Sequence, residues 1–165
     1  LPVGEVGEIR IRSKATVSGY YNNPEATASE FVDGFWRSGD LGFINARGFL
    51  TIMDRMKDMI ITGGFNVYAI EVEEAINSHS DVSMCGVIGV PHDEWGEAIH
   101  AAVVLRAGAQ LTEKELKAYV HDKLGGLKTP KSIDFVGALP LSSAGKVLRR
   151  KLREPFWGGH ARKVH

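Results

Sequence analysis

The order of hydrophobic and polar positions changes near residue 58, and this change divides the chain into two parts. In residues 1–54 short alternating stretches are broken by glycine turns. Residues 8–12, for example, alternate polar and apolar side chains, which indicates a half-buried strand. The Pro-Glu-Ala-Thr stretch at 24–27 predicts one short helix, because proline is tolerated in a first helical turn. A segment this short and rich in strands is not expected to be stable by itself.

The second part of the chain predicts a small sheet. A short apolar strand at 59–61 ends at Gly63 and Gly64. Longer apolar runs rich in Val and Ile indicate buried strands at 84–90, 98–105 and 133–136.

Three helices are predicted between and after these strands. The first has one apolar face with i, i+3, i+4, i+7 spacing, formed by Val72, Ala75, Ile76 and His79. The second begins with a capping box, in which the Thr112 hydroxyl accepts from the Glu115 N–H and the Glu115 carboxylate reaches back. Its buried face is Leu116, Tyr119, Val120 and Leu124, and it ends at Gly125 and Gly126. A loop at 140–146 leads to a last, basic helix.

This order of elements predicts an α+β fold. Residues 58–165 are expected to form a small C-terminal domain, with a short two-stranded hairpin and a three-stranded sheet packed by helices. Residues 1–54 are expected to be the β-rich trailing segment of a larger N-terminal domain. The chain begins without Met, which we interpret as a sign that it was cut from a longer one.

The composition excludes several classes of protein. The 20 Lys and Arg side chains balance 20 Asp and Glu, so the chain lacks the basic excess of a dedicated nucleic-acid-binding protein. Cys85 is the single cysteine, which excludes an internal disulfide and a cysteine metal cage, and the histidine spacing predicts no metal site. No apolar run is long enough to span a membrane, and the chain does not open with a signal peptide. We expect a cytoplasmic protein.

Charge is nevertheless uneven along the chain. Residues 141–165 hold seven of the 20 basic side chains and one of the 20 acidic ones. Two interpretations stay open: contact with a phosphate or another anion, and a solvated helix face, which charge alone favours. A mixed group, Asp54, Arg55, Lys57 and Asp58, is interpreted by default as a solvated linker.

Three residues are candidates for chemistry when taken singly. Lys146 follows Gly145 as in a phosphate-binding loop, but Val147 replaces the required Ser or Thr, so that motif is absent. Lys146 is then either a solvent-exposed lysine or a single cation for a phosphate. Asp40 is either a turn residue or an acceptor for sugar hydroxyls. Trp95 either packs against the fold or stacks on a base.

Five motifs follow one another along the chain. They are Gly7-Glu8-Ile9 with Ser18-Gly19-Tyr20-Tyr21, Trp36-Arg37-Ser38-Gly39-Asp40-Leu41, Asp54-Arg55-Met56-Lys57-Asp58-Met59-Ile60, Gly63-Gly64-Phe65-Asn66-Val67-Tyr68 and Gly145-Lys146-Val147-Leu148-Arg149-Arg150. In this order and spacing they resemble the C-terminal third of the adenylate-forming enzymes, which include acyl-CoA synthetases, nonribosomal peptide adenylation domains and luciferase. The resemblance covers essentially the whole chain, and within the superfamily it is greatest to fatty acyl-CoA synthetases.

The resemblance implies a two-step reaction. A carboxylate attacks the α-phosphate of ATP, which gives an acyl-adenylate and pyrophosphate, and the thiol of CoA then displaces AMP. In the family, the aspartate matching Asp40 holds the ribose hydroxyls, and the arginine matching Arg55 assists. The lysine matching Lys146 reaches the acyl carboxylate and the α-phosphate, where a fixed cation offsets the repulsion between two anions.

The resemblance also implies that the small domain swings between the two steps. Lys57 matches the hinge position, within a hinge at 55–57, and the swing removes Lys146 from the active site. It brings the strand at Gly63 and Gly64 beside the pantetheine channel, where glycine lets the backbone approach a ligand closely. Contacts to the CoA nucleotide are assigned on surface chemistry alone, to Trp95, Lys128 and Lys131.

Several functional parts of the family are expected upstream of residue 1, in the chain's own N-terminal domain. They are the phosphate loop, the acyl pocket and the Mg²⁺-binding carboxylate, so the chain is expected to be inactive alone. The sequence departs from the family pattern at Asp54, at Ala69 and at Ala144, where a hydroxyl is common. Ser142 keeps its hydroxyl.

Two alternatives to an acyl-CoA synthetase of fatty or related hydrophobic acids stay open. One is an adenylation domain that loads a carrier-protein pantetheine, and the other is a non-catalytic interaction module that retains the fold. The resemblance also suggests regulation by a lysine acetyltransferase, because acetylation of Lys146 would remove its charge.

Overall fold

The computed structural model describes residues 1–158, which form two compact units divided between Lys57 and Asp58. A short 3₁₀ helix, Met56–Asp58, lies at the division. The assignment of residues 1–54 and 58–165 to two domains of one enzyme, joined by a hinge at 55–57, stays a prediction.

The first unit is a four-stranded antiparallel sheet with one short helix. Its elements are β1 (Gly7–Ile11), α1 (Pro24–Glu30), β2 (Phe31–Val32), β3 (Phe35–Ile44) and β4 (Leu50–Arg55). The long strand β3 pairs with β1 on one edge, and with β2 and β4 on the other. Helix α1 begins as predicted, because the Asn23 side chain accepts from the Ala26 N–H and Pro24 occupies the first turn.

The second unit is built on a five-stranded sheet. Its strands are β5 (Ile60–Thr62), β6 (Phe65–Val67), β7 (Val82–His92), β8 (Gly96–Leu105) and β9 (Ser132–Phe135). Strand β7 pairs antiparallel with one edge of β8 along its whole length. The other edge of β8 is shared, because β5 meets it at Gly96 and β9 runs parallel to it from His100. The predicted α+β class, hairpin and three-stranded sheet are therefore confirmed, with the hairpin joined to the sheet.

Side-chain alternation gives this sheet two buried faces. One face presents Cys85, Val87, Ile99, Ala101 and Val103 to the helices α2 (Ala69–Asn77) and α3 (Glu113–Leu124). Burial raises the pKa of the Cys85 thiol, as expected for a core cysteine. The opposite face presents Ile88, Val90 and Ala98 to the helix α4 (Arg149–Trp157). The sheet is thus covered by helices on both sides.

The two central helices begin and end where the sequence pattern places them, with one difference. The capping box of α3 is present: the Thr112 hydroxyl accepts from the Glu115 N–H, and the Glu115 carboxylate accepts from the Thr112 N–H. Helix α2, however, ends at Asn77, so His79 is not part of its face. The Ser78 hydroxyl donates to the Ala75 carbonyl at 2.6 Å and closes the last turn.

Helix α4 is fixed to the second unit by buried ion pairs. The Arg149 guanidinium donates to both carboxylate oxygens of Glu73 on α2, at 2.9 and 2.6 Å, and to Asp58 at 3.2 Å. Arg153, one turn later, donates to the other Asp58 oxygen at 2.7 Å. The interpretation of the basic tail as a solvated face is therefore wrong for these two arginines and holds for Arg150, whose side chain is 86% exposed.

The interpretation of residues 54–58 as a solvated linker is also wrong in part. Asp54 and Asp58 are each only 7% exposed, whereas Arg55 and Lys57 are exposed. The sequence pattern could not show that Asp58 is buried while its neighbour Lys57 is exposed. The arginines that pair with Asp58 lie about 90 residues further along the chain.

These arginines also determine the acidity of Asp58. Burial by itself raises the pKa of this carboxyl, but the guanidinium groups of Arg153 and Arg149 outweigh burial and hold the pKa below its usual range. As the pH falls, the unfolded chain therefore takes up this proton before the folded chain does. The contribution of Asp58 to stability is complete above the unfolded pKa and is lost as the pH falls through the folded pKa.

We expect Asp58→Asn to lower the free energy of unfolding at pH 7 by about 2 kcal/mol, because an amide cannot replace the charge-assisted bonds. The same variant is expected to show a weaker fall in stability below about pH 4 than the unaltered chain. Urea unfolding between pH 3 and pH 7 measures both effects. The control is Asp122→Asn, whose carboxyl is 84% exposed. If the free energy of unfolding falls as steeply at acid pH in Asp58→Asn as in the unaltered chain, this account is wrong.

Candidate functional site

A closed turn presents Lys146 to solvent. Residues Leu141 and Val147 pair across it, and the Ser142 N–H donates to the Lys146 carbonyl at 2.8 Å. The Ser142 hydroxyl accepts from the Lys146 N–H at 3.1 Å, and Gly145 takes the positive φ of 75° that the turn requires. The hydroxyl retained at Ser142 therefore shapes this loop.

The Lys146 side chain carries an uncompensated positive charge. It is exposed, and within residues 1–158 it forms no ion pair. The loop is held at its base, because the Leu148 N–H donates to the Pro140 carbonyl at 2.8 Å and Val147 packs toward Gly86 of strand β7. A cation on a fixed backbone is suited to meet an incoming anion.

Asp40 and Arg55 are neighbours in the first unit. They stand opposite each other in the pairing of β3 with β4, and the Arg55 Nε lies 4.0 Å from an Asp40 carboxylate oxygen. Both side chains are partly exposed, at 38% for Asp40 and 58% for Arg55. The carboxylate keeps acceptor capacity for hydroxyl groups of a ligand.

The hairpin of strands β5 and β6 turns at Gly63 and Gly64. Both have positive φ, 56° and 83°, which an L-residue with a side chain rarely adopts. The Gly63 N–H donates to the Trp95 carbonyl at 3.0 Å, so this turn lies against the connection between β7 and β8.

The Trp95 ring contacts the ring of His92 and the ammonium group of Lys131. The His92 ring stacks on it with ring centroids 4.3 Å apart and planes 4° from parallel. The Lys131 ammonium lies 4.6 Å from the Trp95 ring centroid, a cation–π distance. The glycine turn, Trp95 and Lys131 are therefore brought together, and we call them the Trp95 cluster.

Lys128, the third residue assigned to the CoA nucleotide, is engaged elsewhere. Its ammonium forms an ion pair with Glu71 of helix α2 at 2.6 Å. Its side chain is about one-third exposed, so the pair is only partly shielded from water.

The Lys146 loop and the Trp95 cluster lie at separate places along strand β7. The loop packs at Gly86, whereas the cluster follows the end of the strand at His92. Six residues of extended strand separate these positions, which corresponds to about 20 Å. The second unit therefore carries two candidate sites rather than one.

Three residues of the second unit whose side-chain contacts hold its parts in place were missed from the sequence. His92 was not identified as a partner of Trp95, although it lies three residues away at the same turn. Arg149 and Glu73 were not identified at all. The signal available for Arg149 was its place in the last motif, three residues after Lys146.

Residues 1–158 contain no group of three or more His, Cys, Asp or Glu side chains that could hold a metal ion. Mg²⁺ therefore has no binding site of that kind among them. None of the helices in this part of the chain is long and apolar enough to cross a membrane.

Comparison with known proteins gives consistent relatives. The model of the AMP-binding enzyme C-terminal domain matches residues 71–146. A fatty acid–[acyl-carrier-protein] ligase of Streptomyces coeruleorubidus is 39% identical over 165 residues, which is 100% of this chain and 32% of that protein. A long-chain-fatty-acid–CoA ligase of Bacillus subtilis (strain 168) is 43% identical over 156 residues, or 94% of this chain and 28% of that protein.

The fold has the same relatives. The crystal structure of ATP-bound MatB from Rhodopseudomonas palustris matches with a TM-score of 0.88 at 42% identity, over 94% of this chain and 31% of that one. The chain thus spans about a third of the length of the proteins it matches. The chain belongs to the adenylate-forming superfamily, and its residues 71–146 match that superfamily's AMP-binding enzyme C-terminal domain.

Proposed function

We propose that the chain is the C-terminal portion of an ATP-dependent acyl-CoA synthetase. The reaction joins a carboxylic acid to CoA through an acyl-adenylate, with release of pyrophosphate and then AMP. The observation that carries this proposal is the separation of the Lys146 loop from the Trp95 cluster by about 20 Å of strand. Two sites on one small unit suit two half-reactions that take place in turn at a single active site.

In the first half-reaction Lys146 is the catalytic cation. A carboxylate must approach a phosphate that is already negative, and charge builds on the phosphorus oxygens as the bond forms. An exposed ammonium with no internal partner in residues 1–158 can contact both groups and lower this barrier. The turn closed by Ser142 fixes the backbone from which Lys146 reaches.

The nucleotide is held in part by the first unit. The Asp40 carboxylate accepts hydrogen bonds from the two ribose hydroxyls of ATP, and the Arg55 guanidinium keeps this carboxylate oriented. Mg²⁺ would balance the phosphate charge, and by resemblance to the family we assign the carboxylate that would bind it to the N-terminal domain expected upstream.

In the second half-reaction the Trp95 cluster receives CoA. The turn at Gly63 and Gly64 has no side chains, so the pantetheine arm can pass close to its backbone. For the adenine ring to stack on Trp95 it must replace either the His92 ring or the Lys131 ammonium, and a displaced Lys131 can then meet a phosphate of the CoA nucleotide. Lys128 contributes at longer range, because Glu71 already neutralises much of its charge.

A backbone rotation at Lys57 removes the Lys146 loop from the active site and brings the Trp95 cluster to it. Lys57 lies in the short 3₁₀ helix at the division between the units, and its side chain is exposed. A hinge needs a few residues that absorb the change in φ and ψ, and a short 3₁₀ helix directly after strand β4 meets this need.

The acid is a fatty or related hydrophobic acid, because the Bacillus subtilis relative is named for long-chain fatty acids. A carrier-protein pantetheine is the second candidate acceptor, favoured by the Streptomyces relative, which matches the whole chain. A non-catalytic interaction module is the third alternative, and the exposed Lys146 gives no support to it over the others.

The chain by itself is expected to be inactive. Its cytoplasmic location and the acetylation of Lys146 stay predictions.

The first test is Lys146→Ala in the full-length protein. We expect ATP–pyrophosphate exchange with straight-chain fatty acids to fall at least about 100-fold, because the cation is lost from the adenylation step. Thioester formation from preformed acyl-adenylate and CoA is expected to stay within about threefold. Lys151→Ala, at an exposed position on α4, is the matched control. If exchange persists in Lys146→Ala, Lys146 is not the adenylation cation. If the unaltered full-length protein catalyses neither half-reaction, the interaction module replaces the enzyme.

A second test concerns the hinge. Lys57→Pro is expected to leave exchange within about threefold and to lower thioester formation at least tenfold, since proline fixes φ at about −65°. Lys57→Ala removes the side chain but leaves the backbone free, so it should resemble the unaltered protein. Equal losses in both half-reactions of Lys57→Pro would place the hinge elsewhere.

A third test concerns the acceptor. Trp95→Ala should raise KM for CoA about tenfold through loss of base stacking, with exchange unchanged. Trp95→Phe retains an aromatic face and should recover part of this loss. The same assay with a holo carrier protein in place of CoA separates the two acceptors. An unchanged KM for CoA in Trp95→Ala would remove this residue from the site.

A further inference from the structure

One buried cluster in the second unit contacts neither candidate site and is not explained by the proposed reaction. It consists of Asp58, Glu73, Arg149 and Arg153, whose side chains are 10–16% exposed. The cluster connects three places: the first residue after Lys57, helix α2, and the first two turns of helix α4.

Glu73 joins more than the two helices. Besides both bonds from Arg149, one of its oxygens accepts the Val87 N–H of strand β7 at 2.9 Å. One carboxylate therefore ties α2, β7 and α4 together. The paired bonds between Arg149 and Glu73 also set the plane of the guanidinium, which a single bond would not do.

Arg149 is the residue through which the Lys146 loop is connected to this cluster. It follows Lys146 by three residues, and the intervening Leu148 N–H is bonded to Pro140 at the base of the loop. Its Nη1 donates to Asp58 at 3.2 Å. The path from the backbone next to Lys57 to the Lys146 loop thus runs through one ion pair and three residues of chain.

We infer that Arg149 is a positioning residue for Lys146. It fixes the start of helix α4 to Asp58 and Glu73, so that a rotation of the backbone at Lys57 turns the Lys146 loop with it as one body. This inference rests on the proposed function, since it assigns a role in adenylation to a residue that touches no substrate.

A merely structural role would have a different signature. Loss of folding would weaken both half-reactions, whereas loss of positioning acts only in the step that uses Lys146. It should also vanish once the Lys146 ammonium is removed, because there is then nothing left to position.

The experiment uses the full-length protein with Arg149→Met, alone and combined with Lys146→Ala. We expect Arg149→Met to lower ATP–pyrophosphate exchange about 10- to 100-fold, the loss that a displacement of about 1 Å can cause. Thioester formation from preformed acyl-adenylate and CoA should stay within about threefold. In the Lys146→Ala background, Arg149→Met should lower exchange no further.

The matched control is Arg150→Met, which removes the same charge one residue later. Its side chain is 86% exposed and lies 3.9 Å from Glu154, outside the buried cluster, so exchange should not change. Asp58→Asn supplies a second variant in case Arg149→Met does not fold. It leaves the bonds between Arg149 and Glu73 in place and weakens the bonds that Asp58 accepts from Arg149 and Arg153, so the same selective loss of exchange is expected.

The outcomes separate this inference from the proposed function. If the unaltered full-length protein shows no exchange, the proposed function fails. If it shows exchange that Lys146→Ala does not lower, Lys146 is not the adenylation cation and the positioning role of Arg149 fails with it. If Lys146→Ala lowers exchange but Arg149→Met and Asp58→Asn do not, only the positioning role is wrong. Equal losses in both half-reactions, or a further loss in the double variant, would show a structural role for Arg149 and would overturn the inference.

Discussion

The buried ion pairs of Asp58 and Glu73 with Arg149 and Arg153 are the constraint on which the second unit depends. Removing a charge from water is expensive, and a buried carboxylate is tolerated only where cations and hydrogen bonds compensate for the lost hydration. Here each carboxylate has at least one guanidinium partner, and Glu73 also binds a backbone N–H of strand β7. Breaking any one pair would leave an uncompensated buried charge, and this cost adds to the apolar contacts of Leu152 in holding helix α4 in place.

This anchoring matters because helix α4 follows directly after the loop that carries Lys146. An exposed lysine on a flexible segment would spend little time near its target, and a fixed loop reduces that loss. The loop is closed by hydrogen bonds of Ser142, and its base is bonded through Leu148 to Pro140. The backbone on both sides of Lys146 is thereby held by hydrogen bonds.

Under the proposed function, the chain contributes to the steps of the reaction rather than to the choice of the acid. Relatives that match it over 94% or more of its length are named for a carrier-protein acceptor and for a CoA acceptor. Parts of the fold that serve both kinds of ligase act in the steps that the two reactions have in common. In the proposed function these elements are the Lys146 loop, the pair of Asp40 and Arg55, and the glycine turn beside Trp95, and the pocket for the acyl chain is expected outside this chain.

The sequence by itself determined the elements whose cause is local. The capping box at Thr112, the start of helix α1 at Pro24 and the glycine turn of the hairpin each depend on residues within about four positions, and all were predicted. The apolar runs of β7 and β8 predicted buried strands, because only a sheet covered on both faces can bury them. Helix α2 was predicted two residues too long, since the hydroxyl of Ser78 competes for the backbone at its end.

Only the tertiary structure decided which charges are buried and which candidate residues meet. Asp58 and Lys57 are adjacent and equally polar in the sequence, yet one is enclosed and the other is exposed. The difference arises from Arg149 and Arg153, about 90 residues away, which no local pattern connects to Asp58. In the same way Lys131 reaches Trp95 while Lys128 pairs with Glu71, because the chain between α3 and β9 turns the two side chains toward different neighbours. Pairing between distant residues depends on the folded path of the whole chain, and that path is what the sequence pattern leaves open.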